Sequence, residues 1–207
     1  MRIADPTKAV IDPKTGAMTG ASDRYVKRIG ELKGCYCNSS AFEALAQERG
    51  QDIAYVVDHF LPSTNEGDLI FGTSTLQPGK VSDEYFMTRG HLHKKSDRPE
   101  IYHCVAGKGV MLMETLDGQI SAVEMEKNAI VYVPPYWIHR SVNVGDTELV
   151  TVFCYPADAG QDYEIIASAG GMASLIVDDT RGGWTQAPNP NYIPRSAKAA
   201  KPKETTG

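Results

Sequence analysis

Between residues 53 and 155 the chain contains no stretch with the length and period of a helix. It offers short runs rich in Val, Ile, Tyr and Phe, cut by Gly, Pro, Asp and Asn. The runs at 53–60, 68–76, 84–91, 100–106, 109–114, 120–124, 129–133, 140–144 and 148–155 read as strands. Gly107-Lys108, Asp117-Gly118 and Gly145-Asp146 mark hairpins between them. Strands this close, with no crossover helix, disfavour a parallel sheet and predict an all-β sandwich or barrel.

The flanks differ in pattern. Residues 1–20 are rich in turn signals (Asp5-Pro6, Asp12-Pro13, Thr15-Gly16, Thr19-Gly20) and read as an extended arm. Residues 22–32 can form one short helix capped by Ser22. A second helix is predicted over 38–50, capped by Ser39 or Ser40, with an apolar stripe of Phe42, Leu45 and Ala46 and a stop at Gly50. After residue 155 one or two helical turns are expected within 159–169, then a strand at 173–177. Residues 196–207 are small, charged and without aromatics, the composition of a mobile tail. The expected organisation is an arm with short helices (1–52), a barrel (53–180) and a C-terminal extension (181–207).

The formal net charge of −5 leaves no basic footprint, so nucleic acid is not an expected partner. No apolar run approaches the roughly 18–20 residues of a membrane span. The first 20 residues carry Asp5, Asp12 and two prolines where a signal peptide needs an apolar segment, and a cytoplasmic location is the expectation. Cys35, Cys37, Cys104 and Cys154 lack zinc-type spacing and read as reduced thiols.

Three of the five histidines share one pattern. His91 and His93 are two apart, so on a strand both point to one face while Leu92 turns away. Glu100 opens the next run after the turn at 94–99, and a hairpin can return its carboxylate beside the two imidazoles. His139 stands at the mouth of a later hairpin. Three imidazoles and a carboxylate form a mixed nitrogen and oxygen donor set that suits Fe(II), Mn, Ni or Zn with a position open. The donor types alone do not separate these metals. His59, near a strand end, and His103, facing away by alternation beside Tyr102, are read as standing outside the set.

The order Gly90-His91-Leu92-His93, Glu100, Gly107, then Pro134-Pro135-Tyr136-Trp137-Ile138-His139 and Asn143 resembles the two cupin motifs. It departs at Tyr136, where many cupins carry Gly. Four longer stretches are similar to the cupin-type glucose-6-phosphate isomerases: FGTSTLQPGKV at 71–81, GHLHKKSDRPEIY at 90–102, YVPPYWIHRSVNVGD at 132–146 and YPADAGQDY at 155–163. The resemblance spans about residues 10–180. It implies a double-stranded β-helix (jelly-roll) barrel, a cytoplasmic homodimer and interconversion of glucose 6-phosphate and fructose 6-phosphate. It also implies one divalent metal per subunit, Fe(II) first and Mn, Ni or Zn as alternatives, held by His91, His93, Glu100 and His139.

The same resemblance points to a substrate phosphate held by Thr73, Ser74, Thr88, Gly90 and Tyr155. Lys80 and Arg98 would be supplementary cations. Tyr55, Tyr102 and Tyr136 can line the sugar pocket, since a phenol offers an apolar face and a polar tip. Gln161 occupies the position where archaeal members carry His, a candidate acid for ring opening, and an amide cannot titrate. Aldose–ketose isomerisation moves a hydrogen between C1 and C2. Glu100 is the carboxylate placed to act as base, although metal ligation would depress its basicity. Enediol and hydride-shift routes both stay open. The rival readings are another metal-cupin enzyme, such as an Fe(II) dioxygenase, and a non-catalytic sugar-phosphate-binding cupin.

Overall fold

The computed structural model describes residues 5–195, so the expected tail at 196–207 lies outside the described residues. The chain begins with a hairpin of β1 (Val10–Ile11) and β2 (Met18–Thr19). It continues through β3 (Asp23–Arg28), a 3-10 turn (Ile29–Leu32), α1 (Ser39–Arg49), β4 (Ile53–Phe60) and β5 (Leu69–Leu76). The short strands β6 (Lys80–Val81), β7 (Glu84–Tyr85) and β8 (Leu92–His93) follow. Then come β9 (Glu100–Ala106), β10 (Lys108–Thr115), β11 (Ile120–Glu126), β12 (Ile130–Val133), β13 (Trp137–Asn143) and β14 (Leu149–Pro156). The C-terminal part adds β15 (Gln161–Asp162), α2 (Glu164–Ala167), β16 (Ser174–Asp178) and β17 (Trp184–Pro188).

Every pairing is antiparallel. A six-stranded sheet runs β12-β9-β14-β5-β4-β3, and a three-stranded sheet runs β11-β10-β13. Residues of both sheets line one lumen, the arrangement of a cupin barrel. Alternation along β9 and β12 sorts the side chains. Glu100, Tyr102, Val131 and Val133 are buried toward the lumen, while Ile101, Ile130 and Tyr132 are exposed outside. β10 is different: its run Gly109–Glu114 is buried on both faces, because the C-terminal segment covers its outer side. Asn143, at the end of the second motif, is a structural clasp. Its side chain donates to the carbonyls of Leu76 and Thr147, each at 2.9 Å, and accepts from the Gly145 N–H at 3.0 Å.

Several expectations are corrected. Residues 22–32 are not one helix. β3 pairs along β4 from Asp23↔His59 to Arg28↔Ile53, extending the sheet by an edge strand. Backbone pairing to an open sheet edge outweighs a weak helical propensity, and only the 3-10 turn that buries Ile29 and Leu32 remains helical. The arm is not extended; its hairpin folds back so that Gly16 and Thr15 carbonyls accept from Thr73 and Thr75 hydroxyls. The cap of α1 is Asn38, whose side chain accepts from Ala41 N–H at 3.0 Å, one residue before the expected serines. The run 84–91 is not a single strand. It ends at Tyr85, makes one isolated bridge from Met87 to Val142, and turns at Gly90, with φ +74°, where an added Cβ would lie 2.8 Å from Arg140 Cβ, the His139 carbonyl and Ile166. That close backbone approach is available only to glycine.

Candidate metal centre and pocket

The broken strand is what assembles the cluster. His91 bridges to His139 of β13, with N–H to carbonyl bonds of 3.0 Å in both directions. His93 sits on β8, held in register with Gln161 of β15, and Glu100 is the first residue of β9. The donor atoms of His91, His93, Glu100 and His139 all lie within 4.8 Å of one another, and all four residues are buried. Glu100 Oε2 is 2.9 Å from His139 Nε2, 3.3 Å from His93 Nε2 and 3.8 Å from His91 Nε2.

Protonation in the cluster follows from the partners on the far side of each ring. His93 Nδ1 lies 2.8 Å from the Arg98 carbonyl and His139 Nδ1 lies 3.1 Å from the Trp137 carbonyl. A carbonyl can only accept, so each Nδ1 carries a proton and each Nε2 is the atom turned toward the centre. The Nε2 atoms of His91 and His93 are buried with no hydrogen-bond partner. Burial drives the His91 imidazole well below its ordinary value, with His139 adding to the effect, so the ring stays neutral. Burial opposes ionisation of Glu100, yet the hydrogen bond of His139 and the neighbouring imidazoles outweigh it and hold the carboxyl below the usual carboxylate range. Three imidazole Nε2 atoms converging on an ionised carboxylate, two of them buried without a hydrogen-bond partner, are the donor chemistry of a divalent-metal site. The residues fit such an ion.

A cavity of about 340 Å³ opens beside His91, Glu100 and His139. Of the other expected residues, Tyr55, Ser74, Thr88, Gly90, Tyr102, Tyr155 and Gln161 line it. Two do not. Thr73 faces the opposite side of β5 from Ser74, and its hydroxyl donates to the Gly16 carbonyl at 2.5 Å. Tyr136 sits in the left-handed region at φ +71° with an exposed ring, outside the cavity. The supplementary cations are engaged elsewhere. Lys80 pairs with Asp178, and Arg98 pairs with Asp158 at 2.8 Å and Glu66 at 3.0 Å. The sequence reading missed Asp23, Tyr25, His59, Arg89, Phe153 and Tyr163, which also line the cavity. Alternation along β4 through Tyr55, Val57 and His59 was the available signal for His59. Tyr163 stacks under the Arg89 guanidinium, 4.9 Å from its ring centre, and hydrogen-bonds Gln161. Burial raises the phenols of Tyr55, Tyr102, Tyr155 and Tyr163, so all four remain protonated donors at neutral pH.

The barrel and this buried donor set define a cupin with a mixed histidine and carboxylate centre opening on a cavity lined by tyrosines and hydroxyl side chains. A glucose-6-phosphate isomerase of Sinorhizobium medicae is 50% identical over 196 residues, covering 95% of this chain and 92% of its own. A glucose-6-phosphate isomerase of Thermococcus litoralis is 41% identical over 192 residues, covering 93% and 99%. One from Pyrococcus abyssi is 40% identical over 188 residues, covering 91% and 97%. The glucose-6-phosphate isomerase family model matches residues 26–193. The chain belongs to the glucose-6-phosphate isomerase family, in its cupin form, and is an aldose–ketose isomerase by that membership.

Proposed function

We propose that this protein interconverts glucose 6-phosphate and fructose 6-phosphate with one divalent metal per subunit, held by His91, His93, Glu100 and His139. The observation that carries the metal is the pair of buried, unpartnered Nε2 atoms of His91 and His93 facing an ionised Glu100. Fe(II) is the first choice, with Mn, Ni and Zn as alternatives. When bound, such an ion supplies Lewis-acid polarisation of the sugar carbonyl.

The chain's own residues do the rest. The carbonyls of Arg98 and Trp137 fix the imidazole tautomers. Glu100 stays ionised and is the candidate to accept the carbon-bound proton. The protonated phenols of Tyr102 and Tyr155 donate to substrate oxygens beside the centre. Ser74, Thr88, Tyr55 and the Gly90 backbone offer donors to a phosphate, and Arg89 adds charge at the same wall. Gln161 is positioned by β15 as a neutral hydrogen-bonding contact. A cytoplasmic location and a homodimer complete the reading.

The test is a coupled assay on fructose 6-phosphate after chelation, followed by add-back of each metal. Chelation should abolish turnover and Fe(II), Mn, Ni or Zn should restore it. Full activity in metal-free protein would overturn the metal requirement. No turnover with any divalent ion would overturn the isomerase reading.

A further inference from the structure

One imidazole in the cavity belongs to no cluster. His59 lies on β4, on the same face as Tyr55 and Val57, and lines the lumen. Pairing across the six-stranded sheet sets it in a single row: Tyr102↔Phe153, Phe153↔Gly72, Gly72↔His59 and His59↔Asp23. The Gly72 position keeps the row open. A Cβ there would lie 2.7 Å from the Phe153 ring and 2.8 Å from His59 Cβ. Without it, the imidazole and the aromatic ring can lean together over the cavity floor.

The surroundings of His59 are sparse in charge. From β3, Asp23 brings Oδ2 to 3.5 Å from His59 Nε2. Asp58 precedes it on β4 but is engaged by Arg24 at 2.9 Å and by the Met18 N–H at 3.4 Å. Gly72 of β5 and Phe153 of β14 carry no charge. His59 Nδ1 is buried with no hydrogen-bond partner. Burial lowers the affinity of the ring for a proton, and the two aspartates only partly offset this. The ring is thus neutral while the cavity is empty, with one nitrogen in reserve and a carboxylate beside the other.

Its place in the sheet separates it from the metal centre. Between β9, which carries Glu100, and β4 lie β14 and β5, so three strand spacings intervene, about 14 Å of sheet. Across the cavity from the cluster, the β5–β4 wall carries Ser74 and Tyr55, donors for the phosphate of a phosphosugar whose carbonyl end is held at the cluster.

We infer that His59 is a specificity residue that takes up a proton when the anionic phosphate end of the substrate enters, with Asp23 supporting the imidazolium. This deepens the phosphosugar reading and rests on it. A neutral ring costs little while the pocket is empty. An arriving phosphate favours the charged form, and binding is linked to protonation. No other cavity-lining group outside the metal cluster has an ordinary value this close to neutrality.

The experiment compares the metal-loaded wild-type enzyme with His59→Gln and Asp23→Asn. It measures KM for fructose 6-phosphate from pH 5.5 to 8.5. It adds calorimetry of glucitol 6-phosphate, which has no carbonyl to react, in two buffers of different ionisation heat. The ratio of KM in His59→Gln to that of wild type should reach about tenfold near pH 6 and shrink toward pH 8.5, the worth of one charge-assisted hydrogen bond. Taking the ratio cancels the titration of the phosphate itself. Wild type should take up protons on binding glucitol 6-phosphate near pH 7, and His59→Gln should take up none. Asp23→Asn, changed at an exposed position, should move the KM profile to lower pH. Active wild type with coincident KM profiles, or equal proton uptake in both proteins, overturns the role of His59 alone. Wild type that neither turns over fructose 6-phosphate nor binds glucitol 6-phosphate overturns the phosphosugar reading, and this inference falls with it.

Discussion

Two carboxylates are buried on opposite sides of the barrel wall, and they are treated in opposite ways. Glu100 meets three imidazoles, two of which keep a buried nitrogen without a partner. Glu114, on β10, lies beneath the C-terminal segment. It accepts from the Ala173 N–H at 2.9 Å, from the Tyr192 hydroxyl at 2.6 Å and from the Arg195 guanidinium. Arg195 then spends its remaining donors on the carbonyls of Gly171 at 2.7 Å and Ile165 at 3.1 Å. The Glu114 group is closed: every charge has a partner inside the protein. The Glu100 group is open toward something the polypeptide does not supply. Equal burial therefore means a staple in one place and a binding centre in the other, and hydrogen-bond accounting tells them apart.

The comparison breaks most visibly at His139. His139→Ala should release the metal and abolish isomerisation, a loss beyond a thousandfold or about 4 kcal/mol of barrier, while far-ultraviolet dichroism keeps the barrel signature. Metal content per subunit is the direct readout, and full activity without metal would sink the assignment. Arg195→Ala should give the reverse pattern. It strands the Glu114 charge, which is 0% exposed, and should cost about 3–5 kcal/mol of unfolding free energy in urea. Below its lowered melting point the variant should still carry its metal.

Glu84 sharpens the comparison because it lies between the two extremes. One of its oxygens accepts from the Cys37 N–H at 2.9 Å, and the other is buried without a partner. Burial pushes its carboxyl up to about 7, against the pull of the Cys37 N–H and the Arg140 charge. The folded protein thus holds a proton between pH 4.5 and about 7 that the unfolded chain releases. Stability is lost as pH rises through that window, by about 3 kcal/mol in all. Glu84→Gln should remove this slope. It should raise the melting temperature at pH 7.5 and converge with wild type near pH 4.5. Parallel stability curves would show that Glu84 is ionised at no such cost.

The convergence of His91, His93 and Glu100 was legible in the sequence from strand alternation and the short turn at 94–99, although no hairpin forms there: β8 pairs with β15 while β9 pairs with β12 and β14. The barrel was legible because its strands are short, β-rich and punctuated. What was not legible depends on pairings between distant segments. Residues 22–28 carry no strong strand signal and become β3 only because β4 offers an open edge. That edge strand brings Asp23 and Tyr25 to the cavity. His59 was set aside as lying near a strand end, although its alternation with Tyr55 and Val57 was visible; its partner Asp23, 36 positions earlier, was not. The Glu114 staple was hidden for the same reason, since Arg195 is 81 positions away.

Thr73 and Ser74 show how one step along a strand divides the two kinds of role, and they give the smallest effect to measure. Both are buried hydroxyls on β5, and the sequence offers no means of ranking them. In the barrel, Ser74 faces the cavity while Thr73 faces the N-terminal hairpin and donates to the Gly16 carbonyl. Thr73→Val keeps the branched shape and deletes that bond, so it should cost about 1 kcal/mol of stability, with KM for fructose 6-phosphate unchanged. Ser74→Ala should raise KM a few-fold, and its melting temperature should move less than that of Thr73→Val. The sheet register makes this assignment, because a slip of one residue would exchange the two faces. If Thr73→Val raised KM and Ser74→Ala did not, β5 would be offset by one residue from the register drawn here, and the phosphate wall would have to be rebuilt around the other face.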